Sequence, residues 1–273
     1  MPIPTEPIGS LPRTTELLAA LADYDQGKIT LEVLEAHQDR ACQESIDRLV
    51  AAGETIVTDG EQRIPSFATY PLYECVDLCA GWNRIRKESS RRCEKDIRQA
   101  FKAGATRVSI NCTELRLSLK LDPSGSILSD FVSLNNQVLG RFSDDERKNI
   151  GIHTCPGSDQ GSTHSLDVDY SGLLPKLFEM DRLYGTMGSH IGPEQVIFIG
   201  VTDPCDQRVE TAEEVRDRLL EAARYLPVDR LGATDDCGFS PFCDDTSISR
   251  EIAFAKIAAR IKGARIASDA LGF

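Results

Sequence analysis

The chain has 273 residues, 41% hydrophobic and 27% charged, the make-up of a soluble globular protein with length for one large α/β domain. Its formal net charge of -12 excludes a surface built for nucleic acid or anionic lipid, since neither is drawn to an acidic field. No apolar run reaches the ~18 residues of a membrane span, and MPIPTEPIGS has no basic region followed by an apolar one, so the expectation is a cytoplasmic protein. Nine scattered cysteines, an odd number, fit reduced thiols better than a disulfide framework.

Strand-like runs alternate with helical ones along the chain. Thr5–Ser10 and Thr55–Glu61 are the first two candidate strands, and Arg107–Cys112 is the third. A helical stretch over Ser129–Arg141 leads to the fourth candidate, Ile150–Cys155, then Gln195–Thr202, a helix over Glu210–Tyr225, and Leu231–Asp236. The final helical stretch is Ser247–Lys262, closed by Gly263 as its C′ residue. Ser143 with Glu146, and Thr211 with Glu214, have the capping-box spacing of helix starts. Such alternation predicts parallel strands joined by crossover helices, and the absence of linkers and repeats predicts a single domain over 1–273.

Polar residues gather at the C-terminal ends of these strands: Ser10, then Asp59 and Glu61, then Asn111, then His153 and Cys155, then Asp203, then Asp235, Asp236 and Cys237. Chemistry at the ends of many strands is the habit of a TIM-type (β/α)8 barrel, whose active site forms on that face. The six good strands fall short of the eight such a barrel needs, with gaps at Gln62–Thr106 and Pro156–Glu194. Leu72–Leu78 and Arg182–Met187 are weak candidates to fill them. The expected fold is therefore a (β/α)8 barrel that is incomplete or distorted around its third and sixth strands.

His153 and Cys155 stand two apart at a strand end, where alternate side chains share a face, and Cys237 closes another strand. One imidazole and two thiolates make a zinc-type donor set, and a catalytic zinc needs three protein ligands. The alternative is a capped strand end with two core thiols. Asp235 and Asp236 beside Cys237 offer a carboxylate to orient a ligand, and Gly238 permits close backbone approach. Asp59-Gly60-Glu61 presents a carboxylate able to hold an ammonium, or else a solvated turn. Ile8-Gly9-Ser10-Leu11-Pro12-Arg13 can offer backbone N–H groups and a hydroxyl to a carboxylate. His164 lies in a Ser-, Asp- and Gly-rich segment that reads as a solvated loop, with a lid over the site as the alternative. Phosphate-loop, dinucleotide and nucleophile-elbow motifs are absent.

IGSLPRT, VTDGEQR, GIHTCPG and TDDCGF, in that order, resemble the catalytic barrel of the cobalamin-independent methionine synthase family and its single-barrel relatives. The resemblance implies a zinc-dependent methyltransferase that activates homocysteine as a thiolate, with a methylated folate as co-substrate. It implies zinc on His153, Cys155 and Cys237, the amino-acid carboxylate on Ser10 and the ammonium on Glu61. Asp235 and Asp236 fall beside the last ligand, where the family has an Asp, and are the expected catalytic carboxylates. Asn111 stands where the family carries an Asp against the substrate amine. The family's fourth, acidic ligand has no motif match; Glu179, Asp181 and His190 are its nearest substitutes. Two other outcomes stay open: a diverged relative acting on a non-folate thiol or thioether, and a degenerate barrel kept for association. In the last case exposed sheet edges would need another chain to cover them, so a homo-oligomer is one expectation.

Overall fold

The computed structural model describes residues 2–66, 82–158, 160–169, 173 and 196–273. In chain order its helices are α1 (Thr15–Asp25), α2 (Leu31–Ala52), α3 (Trp82–Lys102), α4 (Glu114–Leu121), α5 (Ser126–Leu139), α6 (Asp144–Arg147), α7 (Ala212–Ala222) and α8 (Arg250–Ala270). Its strands are β1 (Val108–Asn111), β2 (Ile150–His153), β3 (Ile197–Gly200) and β4 (Leu231–Thr234). The chain divides into two compact units: Met1–Phe67 with Ser158–Thr163 and Phe198–Phe273, and Ala68–Gly157 with His164–Ile197.

In the second unit β1 and β2 pair in parallel, Val108 opposite Ile150 through Asn111 opposite His153. The pair lies against an apolar cluster in which α3 contributes Ile97, α4 Leu115, and α5 Leu128, Val132 and Leu139. The helical spacing of the α5 residues turns one stripe inward. α6 begins with the predicted capping box, Ser143 and Glu146 each satisfying the other's backbone N–H.

In the first unit β3 and β4 form the other strand pair. Gly232 lies against Phe198 and Gly200 against Asp236, so the two strands run the same way. All four residues of β4 are buried, as a strand covered on both faces requires. Leu11, Leu49, Phe239, Ile248, Phe254 and Ile257 form the core beside them. The Thr211–Glu214 capping box opens α7 as predicted.

Four predicted strands thus contain β1–β4, and three features differ. Thr5–Ser10 touches β4 through one parallel bridge, Thr5 with Ala233, because Pro4 and Pro7 have no N–H to extend a ladder. Thr55–Glu61 is not a strand: Gly60 and Glu61 both take positive φ, and Asp59 accepts the Glu61 N–H to close a turn. The last helix does not stop at Gly263 but runs to Ala270. Gly263 sits where α8 crosses α7; a Cβ there would fall 2.4 Å from the Val215 Cβ and 2.7 Å from the Ala212 carbonyl oxygen. It serves close helix packing rather than termination. The two weak strand candidates, Leu72–Leu78 and Arg182–Met187, lie outside the described residues. What those residues hold of the expected barrel is two parallel strand pairs with helices between. Among them no helix is long and apolar enough to cross a membrane.

Candidate functional site

In the second unit, the end of the strand pair brings together two expected site residues. His153 ends β2 and its register partner is Asn111, the exposed last residue of β1, while the Cys112 N–H donates to the His153 carbonyl at 2.8 Å. Burial lowers the His153 pKa to about 4, because a low-dielectric setting disfavours the charged imidazolium. The ring is therefore neutral at physiological pH, the protonation state in which imidazole binds metals. Cys155 follows, fully buried, and the Gly157 N–H donates to its sulfur at 3.4 Å. Gly157 holds φ +92°, which side chains rarely adopt.

The segment read as a solvated loop is a largely exposed loop, and it is also tied to this turn. The N–H groups of His164 and Ser165 donate to the Pro156 carbonyl at 2.9 and 3.2 Å. From α4, Lys120 donates to the His164 carbonyl at 2.9 Å, and Arg116 donates to the carbonyls of Leu166 and Val168. No motif around Arg116 announces this; a cation set between Leu115 and Leu117 is the one readable signal.

In the first unit, Cys237 is buried just beyond β4. Asp235, 1% exposed, accepts from the Thr202 hydroxyl at 2.7 Å and from Arg260. Arg260 also meets Glu54 at 2.5 Å, so a buried carboxylate–guanidinium–carboxylate chain anchors the strand end that carries Cys237. Burial raises the Asp235 pKa, and Arg260 opposes the shift. Asp236, by contrast, is exposed, with its backbone N–H on the Thr202 carbonyl. Of the two acids expected at the reaction, one is engaged by the core and the other stands toward solvent.

Ser10 packs on the turn after Cys237: its hydroxyl accepts the Ser240 N–H at 3.3 Å, and its carbonyl accepts the Phe239 N–H at 3.0 Å. A Cβ at Gly238 would fall 2.1 Å from the Ser10 oxygen, which is the close approach its glycine permits. Glu61 holds φ 56°, a conformation that non-glycine residues keep only where the surroundings enforce it. Its carboxylate lies beside Gly9, where a Cβ would come within 2.6 Å of Oε1. Burial raises the Glu61 pKa to about 7, against the pull of Arg13 and with the push of Asp59. Ser10, Glu61 and the Cys237 turn are thereby neighbours in this unit.

Arg13, which the sequence places in the Ile8–Arg13 motif without a role, is the hub of this arrangement. The buried guanidinium donates to the carbonyls of Ser240, Glu61 and Ile64 at 2.7, 2.9 and 2.7 Å. Sequence reasoning also misses Arg260 and its neighbour Lys256. Both lie on the apolar stripe of α8 with Ala253, Ile257, Ala264 and Ala267, and a cation on such a stripe is a signal for a buried ion pair.

Glu179, Asp181 and His190 lie outside the described residues.

No protein-family model matches the chain. Over 116 residues, 41% of the chain, it is 37% identical to 2-hydroxypropyl-CoM lyase of Xanthobacter autotrophicus. Over 108 residues, 40% of the chain, it is 28% identical to methionine synthase of Saccharolobus solfataricus. The matched stretches cover 29% and 30% of those proteins. In structure it is similar to a B12-independent methionine synthase from a Shewanella species, with TM-score 0.70 and 16% identity over 99% of both chains. A putative B12-independent methionine synthase from Listeria monocytogenes gives TM-score 0.73 and 15% identity over 97% of this chain and 98% of the other. At such identities the likeness shows the fold.

Proposed function

We propose that this chain, which resembles the cobalamin-independent methionine synthases in fold and over part of its sequence, activates a small thiol for alkyl transfer at a zinc ion. What supports the reading is the type of donor offered at strand ends: the imidazole of His153 and the thiols of Cys155 and Cys237 make a zinc-type set. The neutral His153 is the form a metal requires. Bound zinc lowers the pKa of a coordinated thiol enough to make it a nucleophile at neutral pH.

The remaining residues bind and orient. Glu61 holds the substrate ammonium by a charge-assisted hydrogen bond, and Ser10 holds the carboxylate. Asn111, beside His153, offers an amide to the same amino acid. Asp235 keeps the Cys237 strand end in place through Thr202 and Arg260, and Asp236 is the carboxylate open to solvent for proton exchange. Methyl transfer from a methylated folate to homocysteine is the reaction the methionine synthase likeness favours. The 37% identity to a lyase of 2-hydroxypropyl-CoM favours a second reading, a different thiol or thioether substrate at the same donor set.

Metal analysis of protein purified under reducing conditions tests the common part. About one zinc per chain is expected, with loss of zinc in Cys237→Ser and His153→Ala. Wild-type protein that takes up no zinc sinks both readings. Methionine formation from homocysteine and a methylated folate then separates the first reading from the second.

A further inference from the structure

The segment 164–168 does something the proposed chemistry has not used. Its first side chain, the imidazole of His164, lies against the turn that follows Cys155: a Cβ on Gly157 would fall 2.4 Å from Cδ2 and 2.6 Å from Nε2. Gly157 is the residue whose N–H donates to the Cys155 sulfur at 3.4 Å. The ring therefore presses on the peptide that orients the sulfur, with no room for any other side chain between them.

His164 does not hold this place by its own hydrogen bonds. Its Nδ1 is buried with no partner among the described residues. Arg13, Gln62 and Arg260 also leave one buried atom unpaired, but each bonds through its other side-chain atoms. The imidazole is instead fixed by its backbone. Pro156 accepts from His164 and Ser165, Lys120 grips the His164 carbonyl, and Arg116 grips Leu166 and Val168 at 3.0 and 2.6 Å. Two cations of α4 thus hold in place, through the backbone of its segment, a ring whose Nδ1 stays buried and unpaired.

We propose that His164 is a positioning residue of the metal centre, holding the Cys155 sulfur in ligating orientation through Gly157. The inference rests on the zinc reading above. Groups that orient a metal ligand typically contribute 10–100-fold to metal affinity, so the effect is measurable without turnover.

The test is zinc affinity of the reduced full chain, by competition with a chromogenic chelator, beside the melting temperature of the metal-free protein. His164→Ala is expected to weaken zinc by roughly 10-fold or more. Gly157→Ala, which pushes the ring away and strains φ, is expected to do the same. His164→Phe keeps a flat ring against Gly157 and is expected to stay within about threefold of wild type, with metal-free melting unchanged or raised because the unpaired nitrogen is gone. Wild-type affinity in His164→Ala overturns the inference alone. Loss in His164→Phe equal to that in His164→Ala also overturns it, since the nitrogens would then be acting rather than the packing. A wild-type chain that binds no zinc overturns the zinc reading itself.

Discussion

Arg260→Gln is the sharpest perturbation available in the first unit. The guanidinium is fully buried between Glu54 and Asp235, also buried, and its removal leaves two carboxylates without a cation. Breaking a buried ion pair by removing one partner costs about 3–5 kcal/mol, most of it the uncompensated charge left behind. At ~2–4 °C per kcal/mol for a chain of this size class, the melting temperature should fall by about 6–20 °C. The loss should depend on pH. Burial already raises the Asp235 pKa and Arg260 opposes that rise, so without Arg260 the folded-state value climbs further above the unfolded one. A carboxyl that holds its proton more tightly when folded loses stability as pH rises through that gap. The penalty should therefore be small near about pH 4 and full near about pH 8. Urea denaturation of the metal-free variant across that range measures it. Replacing all three groups, as Glu54→Gln, Asp235→Asn and Arg260→Met, should recover most of the loss, because neutral groups of similar volume need no counter-charge. A loss under about 1 kcal/mol, or one that does not change with pH, refutes the reasoning.

Two further outcomes follow from single residues. Glu61, raised to about 7 by burial, contributes stability at low pH that is lost as pH rises from the ordinary carboxyl range through 7. Glu61→Gln should thus melt higher than wild type near about pH 8 and equally near about pH 4, while an amino-acid ligand should bind wild type better as pH passes 7; a difference independent of pH counts against this. Gly263→Ala should lower the unfolding free energy in urea by about 1–3 kcal/mol, since overpacking against Val215 outweighs the ~1 kcal/mol helical gain of alanine. An unchanged or raised stability would show that α7 and α8 can part without cost.

The local signals of the chain were legible because they are local in cause. Capping boxes at Ser143 and Thr211 need only residues three apart, and β1, β2 and β4 announce themselves by short apolar runs. Gly263 misled because glycine ends a helix or lets two helices touch, and only the position of Val215 on α7 distinguishes these. The strand candidate Thr55–Glu61 failed for the same kind of reason, whereas Thr5–Ser10 is cut to one bridge by its neighbouring prolines. A run such as Thr55–Glu61 becomes a strand only if a neighbour pairs with it, and the turn at Gly60 and Glu61 takes that backbone elsewhere.

The sequence by itself determined the chemistry on offer: an imidazole and two thiols at strand ends, a serine and a carboxylate at turns, and the family these motifs resemble. Those depend on residue type and short spacing. Only the tertiary structure decided which groups are committed to the fold. It bound Asp235 to Arg260 across 25 positions, set Arg13 against Ser240 across 227, and laid His164 on Gly157. Such choices come from burial, where a charge must find a partner or be neutralised, and no spacing along the chain records which partner it finds.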